Sequence, residues 1–403
     1  VSVELLDNPV RPYAWGSRTT IAGLLGRPVP APHPEAELWM GAHPGDPSRI
    51  GDVTLVDVLA KDPAGQLGAE LAARWDGRLP FLMKVLAAEE PLSLQAHPSA
   101  EQAAEGYARE ERKGTPRDAA TRNYPDPTAK PELLCALTEF HALAGFRDPH
   151  RTVELLRAVE TPGLTPYVEL LAGDPNREGL RALFTTWITL PQPAIDALLP
   201  ELLDECVRHV KDHGPFELEC RTALELGESY PGDAGVLAAL LLNRLVLGPG
   251  EAIFLPAGNL HAYLRGTALE ILANSDNVLR GGLTPKHVDV PELLRVLDFG
   301  YGDMTVTTGE QDGARHVYRT AAPEFELSRL EWAAGDTAPV TLPGGAPRIV
   351  VTIDGELTAT TPSATVTLPK GTAIWLPAED PDITLTPGGA WTRAFAATPG
   401  HTP

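Results

Sequence analysis

Residues 250–264 read GEAIFLPAGNLHAYL, an apolar stretch from Ala252 to Leu255 that stops at Pro256-Ala257-Gly258 and resumes with a histidine, His261, at its mouth. Proline lacks the N–H a sheet ladder needs and glycine tolerates left-handed backbone, so the Pro-x-Gly turn ends one strand and starts another. Working outward, PLSLQAHPS (residues 91–99) sets Gln95 and His97 two apart in an apolar run. Alternate residues of a strand share a side, so both side chains can aim at one ion. A third segment, TAKPELLC (residues 128–135), supplies Glu132. If the chain brings these three segments together, Gln95, His97, Glu132 and His261 form a site for one divalent metal. A Gln-x-His pair alone more often marks surface strand residues; the spacing Gly250, five residues, Pro256, one residue, Gly258, two residues, His261 is the more selective signal.

The chain has 403 residues, more than one core usually supports, so two or three domains are expected. Charged and apolar fractions are those of a globular protein, and no apolar run approaches a membrane span. The start, VSVELLDNPVRPYAWGS, has neither the basic opening nor the continuous apolar centre of a signal peptide, which points to a cytoplasmic enzyme. Cys135, Cys206 and Cys220 are odd in number and scattered, against a disulfide framework or thiolate metal site; they read as small apolar residues. A net charge of −21 opposes binding to nucleic acid or an anionic membrane, yet leaves a small phosphorylated substrate open because that responds to local charge. Basic residues are mostly arginine, and of seven lysines three (Lys84, Lys130 and Lys286) fall in or beside the segments singled out. A lysine kept there suggests work for a compact charge or a proton-transferring amine.

Residues 13–146 alternate short apolar runs with Pro and Gly, indicating a β-rich unit with one clear helix in SAEQAAEGYAREER, capped by Ser99 with Glu101 and Glu105 in its first turns. The polar stretch TPRDAATRNYPDPTAKPE reads as a long loop that crosses the site. From 149 to about 243 the apolar period lengthens to that of amphipathic helices, in RTVELLRAVE, PYVELLAG, REGLRALFTTW and IDALLPELLDECVRHVKD. After 247 strands return. Gly371, five residues, Pro377 repeats the opening of the 250–261 pattern, but Glu379 and Asp382 replace Gly258 and His261, as in a second barrel that kept its scaffold and lost the metal. The expected units are therefore a metal-binding domain (1–148 and 248–308), a helical insertion (149–247) and a metal-free β domain (309–403).

The Gly-x5-Pro-x-Gly-x2-His string recurs as the second signature of cupin β-barrels. Together with YAWGS (13–17), AELWMGAHP (36–44), FLMKVLAAEEPLSLQAHPS (81–99), AKPELLCAL (129–137), LAGFR (143–147), YPGDAGVLAALLLNRLVLGPGEAIFLPAGNLHAYL (230–264) and LEILANSDNVLRGGLTPKHVDV (269–290), it makes the chain resemble the type I mannose-6-phosphate isomerases, a zinc-dependent cupin family. The last hundred residues match weakly. The resemblance implies a mainly β fold with a helical insertion: a jelly-roll-like cupin catalytic barrel and a second, cupin-like C-terminal barrel. It also implies a monomer with one Zn2+ per chain on Gln95, His97, Glu132 and His261, and interconversion of mannose 6-phosphate and fructose 6-phosphate through a cis-enediol(ate).

Such chemistry needs an electrophile, a proton shuttle and a phosphate anchor. The resemblance puts Lys130 and Arg280 among the proton-transfer and polarising groups. Arginine is a poor base, so Arg280 suits enediolate stabilisation and Lys130 acid–base work. Lys286 and Arg280 flank a Gly-Gly turn fit for phosphate, and Ser93 shares the strand parity of Gln95. Glu270 and Tyr263 are candidates for hydroxyl recognition, Lys84 for substrate binding, and Trp15 for packing on the sugar or filling the core. Asp276 and Asn277 read as caps of the turn before Arg280. Leu279, Gly281 and GNLHAY depart from the family pattern without touching a ligand, which bears on sugar breadth. The alternatives are a broader aldose or aldose-phosphate isomerase, and a silent sugar-binding cupin, which would have lost Lys130, Arg280 or a ligand. An oxygen-using cupin is disfavoured by Gln-x-His where that class has His-x-His.

Overall fold

A computed structural model of the chain describes residues 3–400 and is mainly antiparallel β-sheet with several helices. The largest sheet has 11 strands, and its spine runs Val306–Thr307, Ala252–Leu255, Glu132–Ala136, His261–Ala273, Phe81–Ala88, Glu37–Gly41 and Val10–Arg11. His261–Ala273 is long enough to serve two neighbourhoods. Its second half pairs with Phe81–Ala88 and Glu132–Ala136, and its first half with Phe140–Phe146 and Leu94–Ala96.

Strand alternation divides this sheet into a wholly apolar face and one that mixes apolar side chains with buried charges. Phe81, Met83, Val85 and Ala87, with Leu133, Cys135, Leu269 and Ile271, pack in one core with Tyr318, Leu327, Ile349, Val351, Trp375 and Phe395 of a seven-stranded C-terminal sheet. Lys84, Glu132 and Glu270, on the other parity of the same strands, point away from that core into a cavity. Polar ties seal the seam: the Tyr318 hydroxyl donates to the Gly250 carbonyl (2.6 Å) and Arg393 to that of Leu137 (3.0 Å).

The helical segment leaves the sheet after Phe140–Phe146 and returns as Leu242–Leu247, which pairs with that same strand. Residues 242–247 therefore belong to the sheet, a correction to the expected insertion of 149–247; a Leu-rich run this short fits either period until a partner strand selects one. Helices cover Pro149–Ala158, Thr165–Gly173, Arg177–Ile188, Gln192–Lys211 and Glu217–Ser229, and their apolar faces bury Leu260, Ala262 and Leu264 from the back of the His261 strand. Glu4–Leu6, expected in the first unit, instead pairs with Ala373–Leu376 in the C-terminal sheet, since three residues can take whichever sheet edge is open. The N-terminal region also holds short helices beyond the expected one, at Thr20–Leu24, Leu55–Lys61, Pro63–Leu67 and Ala69–Arg74. Ser99 caps Ala100–Lys113 in a reciprocal box with Gln102. Among the described residues no helix is long and apolar enough to cross a membrane.

The Pro-x-Gly turn holds the two histidine segments together. Gly258 has φ +77°, its N–H donates to the His97 carbonyl (2.9 Å), and a Cβ there would lie 2.9 Å from the Val296 oxygen and the Asp298 nitrogen. Left-handed backbone and contact with main chain both demand glycine. Gly258→Ala is expected to cost about 1–3 kcal/mol and to loosen His97 and His261 together, seen as a lower denaturation midpoint and weaker metal retention; an unchanged midpoint would show that the turn tolerates a side chain.

Candidate metal centre and pocket

Among the described residues, His97, Glu132 and His261 form the one group of three His, Cys, Asp or Glu side chains with ligand atoms all within 4.8 Å of one another. They arrive from separate segments, Glu132 and His261 opening strands and His97 following Leu94–Ala96, but the register makes them neighbours: Gln95 lies opposite His261, while Glu132 lies opposite Leu255 and Leu272. His97 Nε2 is 3.2 Å from Glu132 Oε1, and His261 Nε2 is 3.4 Å from Glu132 Oε2. Each imidazole is oriented from behind. Nδ1–H of His97 donates to the Asn277 carbonyl (2.8 Å) and that of His261 to the Asn259 carbonyl (3.0 Å), so both Nε2 lone pairs face the centre.

His97 Nε2, His261 Nε2 and Glu132 Oε2 are buried without a hydrogen-bond partner, a costly arrangement unless a cation satisfies them. Burial holds the His97 imidazole below its ordinary pKa. Burial would raise the Glu132 carboxyl, but His97, His261 and Lys130 outweigh it and hold it well below the carboxylate range. Neutral imidazole and ionised carboxylate are the ligand forms. The donor set fits a divalent metal with an open position.

Above the cluster lies a cavity of about 600 Å3. Trp15, Lys84, Ser93, Gln95, Lys130, Glu132, Tyr263, Glu270, Arg280 and Lys286 all line it, so the residues singled out in the sequence converge, with His97 and His261 buried beneath. Lys84 is held between Glu37 (3.5 Å) and Glu270 (3.8 Å), over the Trp39 ring (5.0 Å). Burial disfavours its charge, yet Glu37, Glu270 and Glu132 win and raise its pKa. Tyr263 donates its hydroxyl to Glu270 (2.7 Å), and Lys130 Nζ stands 3.6 Å from Glu132. Arg280 sits opposite Gln95 in the sheet, and burial lowers its pKa from the ordinary value.

Sequence reasoning missed Glu37, Trp39, Tyr13 and Tyr230, and read Asp276 only as a turn cap; all five line the cavity. A signal for the first two existed: Glu37 and Trp39 share one parity of a buried strand, and Trp39 Nε1 donates to Glu37 (2.6 Å). Asp276 does not cap the turn through its side chain, which instead meets His43 (2.9 Å); Asn277 does hold it, donating to the carbonyls of Asp126 and Thr128 (2.8 Å each). A second cavity of similar volume, lined by Arg74, Arg315, Arg319 and Glu326, lies at the C-terminal sheet away from any such metal group.

Comparison with known proteins agrees with this geometry. A family model described as phosphomannose isomerase type I, catalytic domain, matches residues 3–149. The mannose-6-phosphate isomerase of Escherichia coli K12 is 38% identical over 403 residues, covering 98% of this chain and 99% of the relative. The human mannose-6-phosphate isomerase is 32% identical, covering 90% of each. Among solved structures, a zinc-bound mannose 6-phosphate isomerase superposes with a TM-score of 0.88 at 35% identity, and a single-site variant of the Salmonella typhimurium phosphomannose isomerase with 0.89 at 35%, each covering 100% of both chains.

Two outcomes follow from the centre. His97→Ala and His261→Ala are each expected to lose bound metal, measured as metal per chain by atomic emission after desalting; full content in either would remove that residue from the ligand set. The second concerns Glu270, whose carboxyl is pushed up to about 7 from 4.5 by burial and by Glu132, against the pull of Lys84. Between those values the folded chain keeps a proton the unfolded chain has released, so its stability falls as pH rises through the window. In chelated protein, Glu270→Gln is expected to gain in melting temperature relative to wild type from pH 5 to 8; a constant difference would refute the assignment.

Proposed function

The chain belongs to the type I phosphomannose isomerase family, and from that premise we propose how its pocket interconverts mannose 6-phosphate and fructose 6-phosphate. The observation that carries the reading is the partnerless His97, Glu132 and His261 cluster at the base of a cavity lined by Lys84, Lys130, Arg280 and Lys286. Those three residues with Gln95 hold one zinc ion; glutamine is a weak neutral donor, which leaves the ion more electrophilic than a third histidine would. Bound there, zinc supplies Lewis-acid polarisation for the reaction.

The remaining steps belong to the side chains. A proton moves between C1 and C2 through a cis-enediol(ate), and Lys130, 3.6 Å from Glu132 and facing the cavity, is assigned the transfer. Arg280, half-buried, stabilises the negative charge that develops on the enediolate oxygens. Lys286 and Ser93 receive the phosphate. Glu270, tied to Tyr263 and Lys84, recognises sugar hydroxyls, and Trp15, stacked on Tyr13 at 5.8 Å, presents a flat wall to the ring. The working unit is taken as a monomer, and the buried free thiols suit the cytoplasm.

The same reading takes the large sheet as a jelly-roll-like cupin barrel and the region after 308 as a cupin-like unit without metal. There Asp382, at the place of His261, accepts the Gly344 N–H (2.9 Å).

Binding and chemistry separate in two variants. The charge that Arg280 meets appears only as the reaction proceeds, so Arg280→Ala is expected to lower kcat more than it raises KM. The phosphate charge is present throughout, so Lys286→Met is expected mainly to raise KM for mannose 6-phosphate. Coupled detection of fructose 6-phosphate, with zinc content verified, distinguishes them; near-normal kcat with weak binding in Arg280→Ala would make that arginine a phosphate anchor instead.

A further inference from the structure

The helical segment reaches the pocket through one turn, residues 230–235, and that turn touches both edges of the proposed phosphate end. On one side the Tyr230 hydroxyl donates to the Pro91 carbonyl (2.5 Å), two residues before Ser93. On the other, Asp233 Oδ2 accepts the Thr284 N–H (3.1 Å) while its Oδ1 accepts the Gly235 N–H (2.7 Å). Thr284 in turn accepts the Lys286 N–H on its Oγ1 (3.1 Å). A chain of hydrogen bonds thus runs from a carboxylate of the helical segment to the backbone of Lys286.

The backbone beneath is built for this contact. Gly282 has φ +122° and Leu283, buried and not glycine, has φ +54°. A Cβ on Gly282 would lie 2.7 Å from the Gly235 Cα, and one on Gly235 would lie 2.6 Å from the Leu283 nitrogen. A bulky residue in the left-handed region persists only where its surroundings hold it, and here the docked turn supplies the hold. The turn is itself anchored, since Gln192 of the Gln192–Lys211 helix donates to the Gly232 carbonyl (2.9 Å).

We infer that Asp233 is a positioning residue: the 230–235 turn clasps the loop that bears Lys286, so the phosphate subsite takes its shape from a carboxylate that does not line the cavity. This rests on the assignment of Lys286 to phosphate. It gives the helical segment a part in selecting phosphorylated sugars, beyond walling the site.

The test is steady-state kinetics and inorganic phosphate inhibition on zinc-loaded enzyme. Each lost hydrogen bond corresponds to a factor of about five. Asp233→Ala, which loses two acceptor contacts, is expected to raise KM for mannose 6-phosphate about tenfold or more, with kcat within about twofold and the inhibition constant of phosphate raised in step. Asp233→Asn keeps one acceptor oxygen and should fall between, and it carries the test if Asp233→Ala does not fold. In a Lys286→Met background Asp233→Ala should add nothing further to KM. A fall in kcat with KM unchanged, or a full additional factor in the Lys286→Met background, would overturn the clasp while leaving Lys286 as anchor. If Lys286→Met alone left KM unchanged, the anchor assignment would fall and the inference with it.

Discussion

Period-two alternation along the strand His261–Ala273, reset once between Tyr263 and Arg265, is the constraint on which the rest depends. Leu269 and Ile271 go into the core shared with the C-terminal sheet, Leu260, Ala262 and Leu264 go under the helices, and Tyr263 and Glu270 face the cavity, brought to one side by the register irregularity between Tyr263 and Arg265, with His261 buried beneath. A register slip of one residue would exchange these sets and bury carboxylate and imidazole in hydrocarbon. Because two apolar clusters claim the faces turned away from the cavity, the register of the site is set by hydrophobic burial on its far sides.

With the dry faces so firmly specified, the polar face can hold charges that would be costly elsewhere. Glu37, Lys84, Glu270 and Tyr263 make a continuous series over the strands Glu37–Gly41, Phe81–Ala88 and His261–Ala273, each member partnered by the next. Lys84 and Glu270 stand directly opposite in the ladder, so a cross-strand pair replaces the water both have lost. Glu270 with its raised pKa and Glu132 with its lowered one show two buried carboxyls driven apart: burial and a fellow carboxylate raise the first, while histidines and a lysine overcome burial and lower the second. Separation of this kind is what a pocket needs to hold a cation and exchange protons in the same small volume.

The helical segment shows how an insertion can be accommodated without disturbing the sheet. Its ends enter and leave through the paired strands Phe140–Phe146 and Leu242–Leu247, so residues 147–241 hang from a single hairpin-like junction. The two close glycines, Gly235 and Gly282, then let its last turn lie on the loop at the mouth of the pocket.

Much of the site was legible in the chain because its signals are local. The Gly250 to His261 string declares a strand, a turn that tolerates only glycine at 258, and a histidine; Gln95 and His97 declare one parity; and Lys84, Lys130 and Lys286 stand out against an arginine-rich background. Amphipathic spacing likewise announced the helices between 149 and 211, though not Glu217–Ser229. What tertiary structure alone decided depends on partners far away in sequence. Residues 242–247 became strand because Phe140–Phe146 offered a free edge, and Glu4–Leu6 joined Ala373–Leu376 for the same reason. Glu37 and Trp39 entered the cavity because the ladder sets Trp39 opposite Lys84, and Asp276 turned to His43, which lies 233 positions away. Local spacing encodes direction and period, whereas which strand lies next to which is set by the joint burial of faces that no short window of sequence contains.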